Sequence, residues 1–128
     1  MEKEFVDYKI GLELKELGFD EPCFGYYDHQ IKELDTISSE VCERLCKHDT
    51  HIKAPTFSQA FRWFRERYNI EVAVACFYSK RLNIPYEERQ YHCHVIRDGV
   101  TSKGPKYKTY EEAELECLKR LIEIIKEK

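Results

Sequence analysis

Thr56-Phe57-Ser58-Gln59-Ala60 and Thr109-Tyr110-Glu111-Glu112-Ala113 decide how the second half of this chain folds. Each sets a Thr three residues ahead of a Gln or Glu. At that spacing the Thr oxygen takes the amide of the third helical residue, and the Gln or Glu side chain reaches back to the Thr amide. Each also carries an aromatic at the first helical position and an Ala at the fourth, heading an apolar stripe. The first start predicts a helix over 56–68 that buries Phe57, Ala60, Phe61, Phe64 and Tyr68, with Asn69 ending it. The second predicts a helix from Tyr110 to about Lys126, whose broad apolar face runs through Tyr110, Ala113, Cys117, Leu118, Leu121, Ile122, Ile124 and Ile125.

Between these helices, Ile70 to Tyr78 and Arg89 to Arg97 read as strands rich in β-branched and aromatic residues. Residues 79–88, with Asn83 and Pro85, read as their loop. Asp98-Gly99 is a hairpin turn signal, and Val100-Thr101-Ser102 starts a short third strand that Gly104-Pro105 breaks. The second half thus runs helix–strand–strand–(strand)–helix.

Toward the N-terminus, Val6, Ile10, Leu14 and Leu17 share one helical face, predicting a helix over 4–17. Gly18 suits its C′ position and Phe19 the hydrophobic contact of a Schellman end. A second apolar line, Phe5, Tyr8 and Leu12, lies on the opposite side. A helix apolar on two sides is sandwiched in a core or used for association. Cys23 to Asp28 reads as a strand with Ile31 to Leu34 as its hairpin partner. A short helix is expected from Ser38 or Ser39 to about Lys47, and residues 48–55 read as a linker. The expected fold class is α+β, with three main helices packed on a small antiparallel sheet in a single domain over residues 1–128.

The net charge of −3 is unevenly spread. Residues 1–54 carry a net −6, residues 55–108 a net +5 and residues 109–128 a net −2. The basic middle suits an anionic partner; the competing reading is that acidic and basic parts face one another. No apolar run approaches the ~18 residues of a membrane span. The first residues lack the basic-then-apolar layout of a secretory signal. A cytoplasmic protein with its six Cys reduced is the expectation.

Two resemblances follow from these residues. The order over 55–126 resembles the double-stranded RNA-binding domain. That family grips phosphates with basic residues at the start of its last helix, where this chain has Glu111, Glu112 and Glu114. Binding of double-stranded RNA is therefore not expected. The strings Leu17 to Cys23, Ala54 to Tyr68 and Thr109 to Leu115 resemble small uncharacterised proteins of gut Bacteroidales and their tailed phages. That resemblance implies a phage or mobile-element setting and supplies no catalytic residues.

A few residues break the pattern. Glu114 falls within the apolar face of the last helix, where a carboxylate is costly unless paired. It suits either a ligand carboxylate or a structural partner for a neighbouring group. Trp63 is expected half-exposed with Arg67 over it, a cation–π pair that stacks a base or a protein partner or simply edges the core. Cys42, Cys46, His48 and His51 lie within ten residues, and His92 and His94 share a strand face. Neither set has the separation of a zinc site, so no metal is expected. Lys106 lies in a basic run ahead of a helix N-terminus, where a phosphate can sit. No phosphate loop, nucleophile elbow or paired-carboxylate motif occurs.

The resulting reading is a non-catalytic accessory protein that acts by binding, first of all a protein partner or a second copy through Phe5, Tyr8 and Leu12. The alternative is sequestration of a small anionic ligand such as a nucleotide by Trp63, Arg67, Glu114, Tyr26, Tyr27 and Lys106. A weaker alternative is single-stranded nucleic acid binding. No cofactor and no membrane partner are expected.

Overall fold

The computed structural model describes residues 4–47, 50–77 and 90–127. The loop expected at 79–88, the strand ends at Tyr78 and Arg89, and His48 lie outside the described residues. The fold is α+β, with its strands in two three-stranded antiparallel sheets. The chain forms two compact units, Met1–Ala60 with Ile124–Lys128, and Phe61–Glu123.

In the first unit, α1 (Tyr8–Glu16) begins later than its apolar spacing suggests. Phe5 bridges Thr56, and the Val6 amide donates to the Pro55 carbonyl at 3.0 Å, so these residues are extended. Asp7 then caps the helix, accepting from the Ile10 amide at 2.8 Å. The helix ends as expected. Gly18 takes φ +98°, its amide donates to the Lys15 carbonyl, and the Phe19 amide donates to the Leu14 carbonyl, both at 3.0 Å. These two bonds define a Schellman end, and Phe19 is buried behind it.

The first sheet has the order β2-β1-β3, formed by β1 (Gly25–Asp28), β2 (Leu34–Thr36) and β3 (His51–Ala54). Two expectations are corrected here. The hairpin partner lies three residues beyond Ile31, because Asp28 holds the chain in a turn. Its Oδ1 accepts from the amides of Gln30 and Ile31 at 2.7 and 3.2 Å, and its carbonyl accepts from Lys32 at 2.8 Å. The expected linker 48–55 contains β3, where Ile52 and Ala54 are buried and His51 and Lys53 are half-buried. β1 passes so close to its neighbours that a Cβ on Gly25 would stand 2.8 Å from the Phe5 ring and 2.9 Å from the Ala54 carbonyl.

The alternation of strand side chains gives this sheet two faces. On the Tyr27 face lies α1, with the Tyr27 hydroxyl donating to the Val6 carbonyl at 2.8 Å. The other face meets α2 (Ser39–Cys46), whose Glu43 pairs with Lys53. Helix α3 (Phe57–Tyr68) then starts where predicted: Thr56 Oγ1 accepts from the Gln59 amide at 3.2 Å. The Gln59 side chain reaches further, donating from Nε2 to the Pro22 carbonyl at 2.7 Å.

The second unit carries the rest of α3, then β4 (Ile70–Phe77), β5 (Gln90–Arg97), β6 (Val100–Tyr107) and most of α4 (Tyr110–Lys126). Asn69, at φ +55°, ends α3. Asp98 and Gly99, both at positive φ, make the tight turn their sequence predicts. Strand β6 does not break at Gly104-Pro105. His92 pairs with Lys106 and His94 with Lys103, so Gly104 and Pro105 together oppose Cys93 alone. This is a β-bulge on an edge strand, the setting in which a strand tolerates a Pro.

Helix α4 packs on the Cys93 face of this sheet, with Ala113, Cys117, Leu118, Leu121 and Ile122 buried. Cys93 and Cys117 form a disulfide, which corrects the expectation of six reduced thiols. A core-facing strand position and a core-facing helix position bring the two sulfurs together. Closing a loop of this sequence separation, 24 residues, contributes about 3 kcal/mol by the chain-entropy estimate. Beside it, the Arg120 guanidinium donates to the Ser102 hydroxyl.

Both helix starts depend on their Thr. Thr109 Oγ1 accepts from the Glu112 amide at 3.1 Å, as Thr56 does from Gln59. Thr56→Ala and Thr109→Ala are each expected to cost about 1 kcal/mol in denaturant melts. Unchanged stability in both variants would show that these side chains do not cap.

Candidate functional site

The first sheet carries a concavity that its own pairing builds. Tyr26 and Asp28 point to the face opposite Tyr27. Register sets Asp35 and Lys53 either side of Tyr26, and His51 beside Asp28. With Ile31, Glu33 and Leu34 from the turn and β2, Tyr26, Asp28, Asp35 and His51 line a hollow of about 400 Å³.

Its polar groups are held in place. The Tyr26 hydroxyl donates to Asp35 Oδ2 at 3.1 Å, and Asp35 Oδ1 accepts from the Thr36 amide at 2.9 Å. His51 Nε2 lies 3.6 Å from Asp28 Oδ2, and its ring stands edge-on to Tyr26 with centroids 5.4 Å apart. The amides of Gln30 and Ile31 hold the Asp28 carboxyl below the usual carboxylate range, with His51 and His29 adding to the effect. Burial, and then the bond to Asp35, push the Tyr26 hydroxyl up. Asp28 is therefore a firm anion at neutral pH. That makes it a weak proton acceptor and a good electrostatic partner for a cation. Ile31, 65% exposed, supplies an apolar lip.

The residues singled out from sequence do not gather at one place. Tyr26 lines the hollow, but Tyr27 points the other way and is buried. In the second unit, Trp63 is only 6% exposed, not half-exposed as expected. It packs edge-on against Phe64 and Tyr68 at 5.0 and 5.6 Å. Arg67 does lie over it, 5.9 Å from the ring centroid, and 5.8 Å from that of Tyr68. The cation–π pair therefore caps an aromatic cluster. Lys106 is exposed on β6.

Phe5, Tyr8 and Leu12 are half-buried. The Phe5 ring lies against Gly25, and the Tyr8 hydroxyl is 2.6 Å from His29 Nδ1. Cys42 Sγ is buried 3.6 Å from the Gly25 carbonyl and 3.9 Å from Cys46 Sγ. His51 serves the hollow, and His48 lies outside the described residues. His92 is 5% exposed, with the His94 ring 5.1 Å away. Among the described residues, no three His, Cys, Asp or Glu side chains are grouped to hold a metal ion.

Sequence reasoning reaches Tyr26 and misses its neighbours. Asp35 comes into register only through the Asp28 turn, and His51 stands in a segment that reads as linker. The alternation of Ile52 and Ala54 is the available signal. No family model matches the sequence, and no curated protein and no solved structure matches it.

Glu114 is half-buried on α4, and among the described residues its side chain has no hydrogen bond or ion pair. Burial, and then the charge of Glu111, raise its pKa. A carboxyl raised on folding binds more protons in the native state, so its penalty is absent below the unfolded value. That penalty grows as pH rises through the folded value. Glu114→Gln is therefore expected to be more stable than the parent at neutral pH and indistinguishable from it in acid. Denaturant melts of both proteins across pH check this; a difference independent of pH would contradict it.

Proposed function

We propose that the protein acts without catalysis by binding a protein partner, and that the hollow on β1, β2 and β3 receives a Lys or Arg side chain of that partner. The observation that carries this reading is the arrangement around Tyr26. Asp28, Glu33 and Asp35 stand round an aromatic ring in one concavity, with His51 as the only basic group among its lining residues. A ring face and fixed carboxylates suit a cation, and Ile31 and Leu34 suit its aliphatic stem. The same carboxylates oppose the use of Tyr26 for an anionic ligand. The −6 net charge of residues 1–54 steers a basic partner toward this unit.

The resemblance to proteins of gut Bacteroidales and their phages supports an accessory role in a phage or mobile element. Self-association through Phe5, Tyr8 and Leu12 has less support, because Phe5 and Tyr8 make contacts inside the first unit. No helix among the described residues is long and apolar enough to cross a membrane. A cytoplasmic setting belongs to the same proposal, and burial of Cys93 and Cys117 would shield their bond from reductants there.

Selection of random displayed peptides on the full chain tests the reading. The expected winners carry Arg or Lys beside apolar residues, weaken with salt, and lose about tenfold in affinity against Asp35→Asn. Winners without basic residues, or binding unchanged in both Asp35→Asn and Tyr26→Ala, would contradict it.

A further inference from the structure

The bulge in β6 has a consequence for the far side of the second sheet. In an unbroken strand, residues three apart point to opposite faces. Lys103 and Lys106 are three apart, yet the extra residue opposite Cys93 turns both to one face. There Lys103 pairs across the strand with His94, and Lys106 with His92. On the same two rungs β4 contributes Ala73 and Ala75, opposite His94 and His92. Four basic side chains thus share a patch whose third strand adds only methyl groups. The face opposite, through Cys93, is the one bound to α4.

We propose that this patch is a phosphate-binding site, with Lys103 and Lys106 closing on the anion and His94 and His92 beneath it. Two lysines and two imidazoles converge as N–H donors, the requirement for a multiply charged phosphate. Among the described residues, β4, β5 and β6 place no carboxylate on these two rungs; Glu71, next along β4, lies opposite Ile96. The electrostatics agree: burial, and then Lys103, His94 and Lys106, push the His92 imidazole down, as crowding by positive groups does. An anion there reverses the charge part of that effect, so binding of a phosphate of given charge favours the protonated imidazoles. This proposal is independent of the cation-binding hollow, which lies on the other sheet.

The test is NMR of the full chain with labelled histidines, titrated with inorganic phosphate at constant ionic strength set by chloride. Saturable shifts of His92 and His94 are expected. Lys103→Ala and Lys106→Ala should each lower that affinity about tenfold while leaving the backbone spectrum folded. Deletion of Pro105 removes the bulge but leaves Lys103 and Lys106 two apart, on one face opposite His94 and His92, and should therefore preserve binding in a folded protein. A single-stranded oligonucleotide that binds at least about tenfold tighter than phosphate identifies a polymer backbone as the source; equal affinity identifies a free phosphate or mononucleotide. The absence of saturable shifts, or shifts that persist unchanged when both lysines are replaced, would overturn the proposal.

Discussion

The second unit is organised by one irregularity, the pairing of Gly104 and Pro105 against Cys93 alone. That bulge lets a Pro sit in a strand at no cost to the ladder, because β6 is an edge and its outer amides face away from β5. Gly104 faces α4, where a Cβ would stand in ordinary contact, 3.4 Å, with Arg120 Nη1. Cys93 in turn is held toward α4, where it meets Cys117. The same count of residues sets which lysines look outward. The shared outer face of the two lysines therefore follows from a single inserted residue, while the alternation of β5 turns Cys93 to the core.

The first unit is organised by a side chain. Asp28 closes the turn after β1 with two amide bonds and so delays β2 to Leu34. This delay sets Asp35, and no other residue of β2, opposite Tyr26. The carboxylate that shapes the backbone is also one wall of the hollow. The uneven charge of the sequence thus has a local counterpart: carboxylates gather round Tyr26 in one unit, and lysines and imidazoles gather on β5 and β6 in the other. Both arrangements suit recognition.

Much of this fold is legible in the amino-acid sequence, and the reasons differ by element. Capping chemistry is local, so Thr56, Thr109, Gly18, Asn69 and Asp98-Gly99 all mark real boundaries. Helical spacing finds the buried faces of α1, α3 and α4. What fails depends on partners distant in sequence. His51 to Ala54 is too short for alternation to stand out, and it becomes a strand only because β1 is there to pair with it. Gly104-Pro105 reads as a break unless the opposing strand can be counted. A helical wheel leaves Trp63 half in solvent, since it does not show that Arg67 and Tyr68 close over it. The disulfide is not legible because thiol pairing is a property of the fold, and composition argues for reduced cysteines.

The most direct measurement is the cross-strand NOE pattern between β5 and β6 in the intact, oxidised protein. The structure predicts contacts of His92 with Lys106 and of His94 with Lys103, with Gly104 and Pro105 sharing Cys93 between them. An unbroken register, with one residue opposite each and the two lysines on opposite faces, would contradict the bulge and the basic patch built on it.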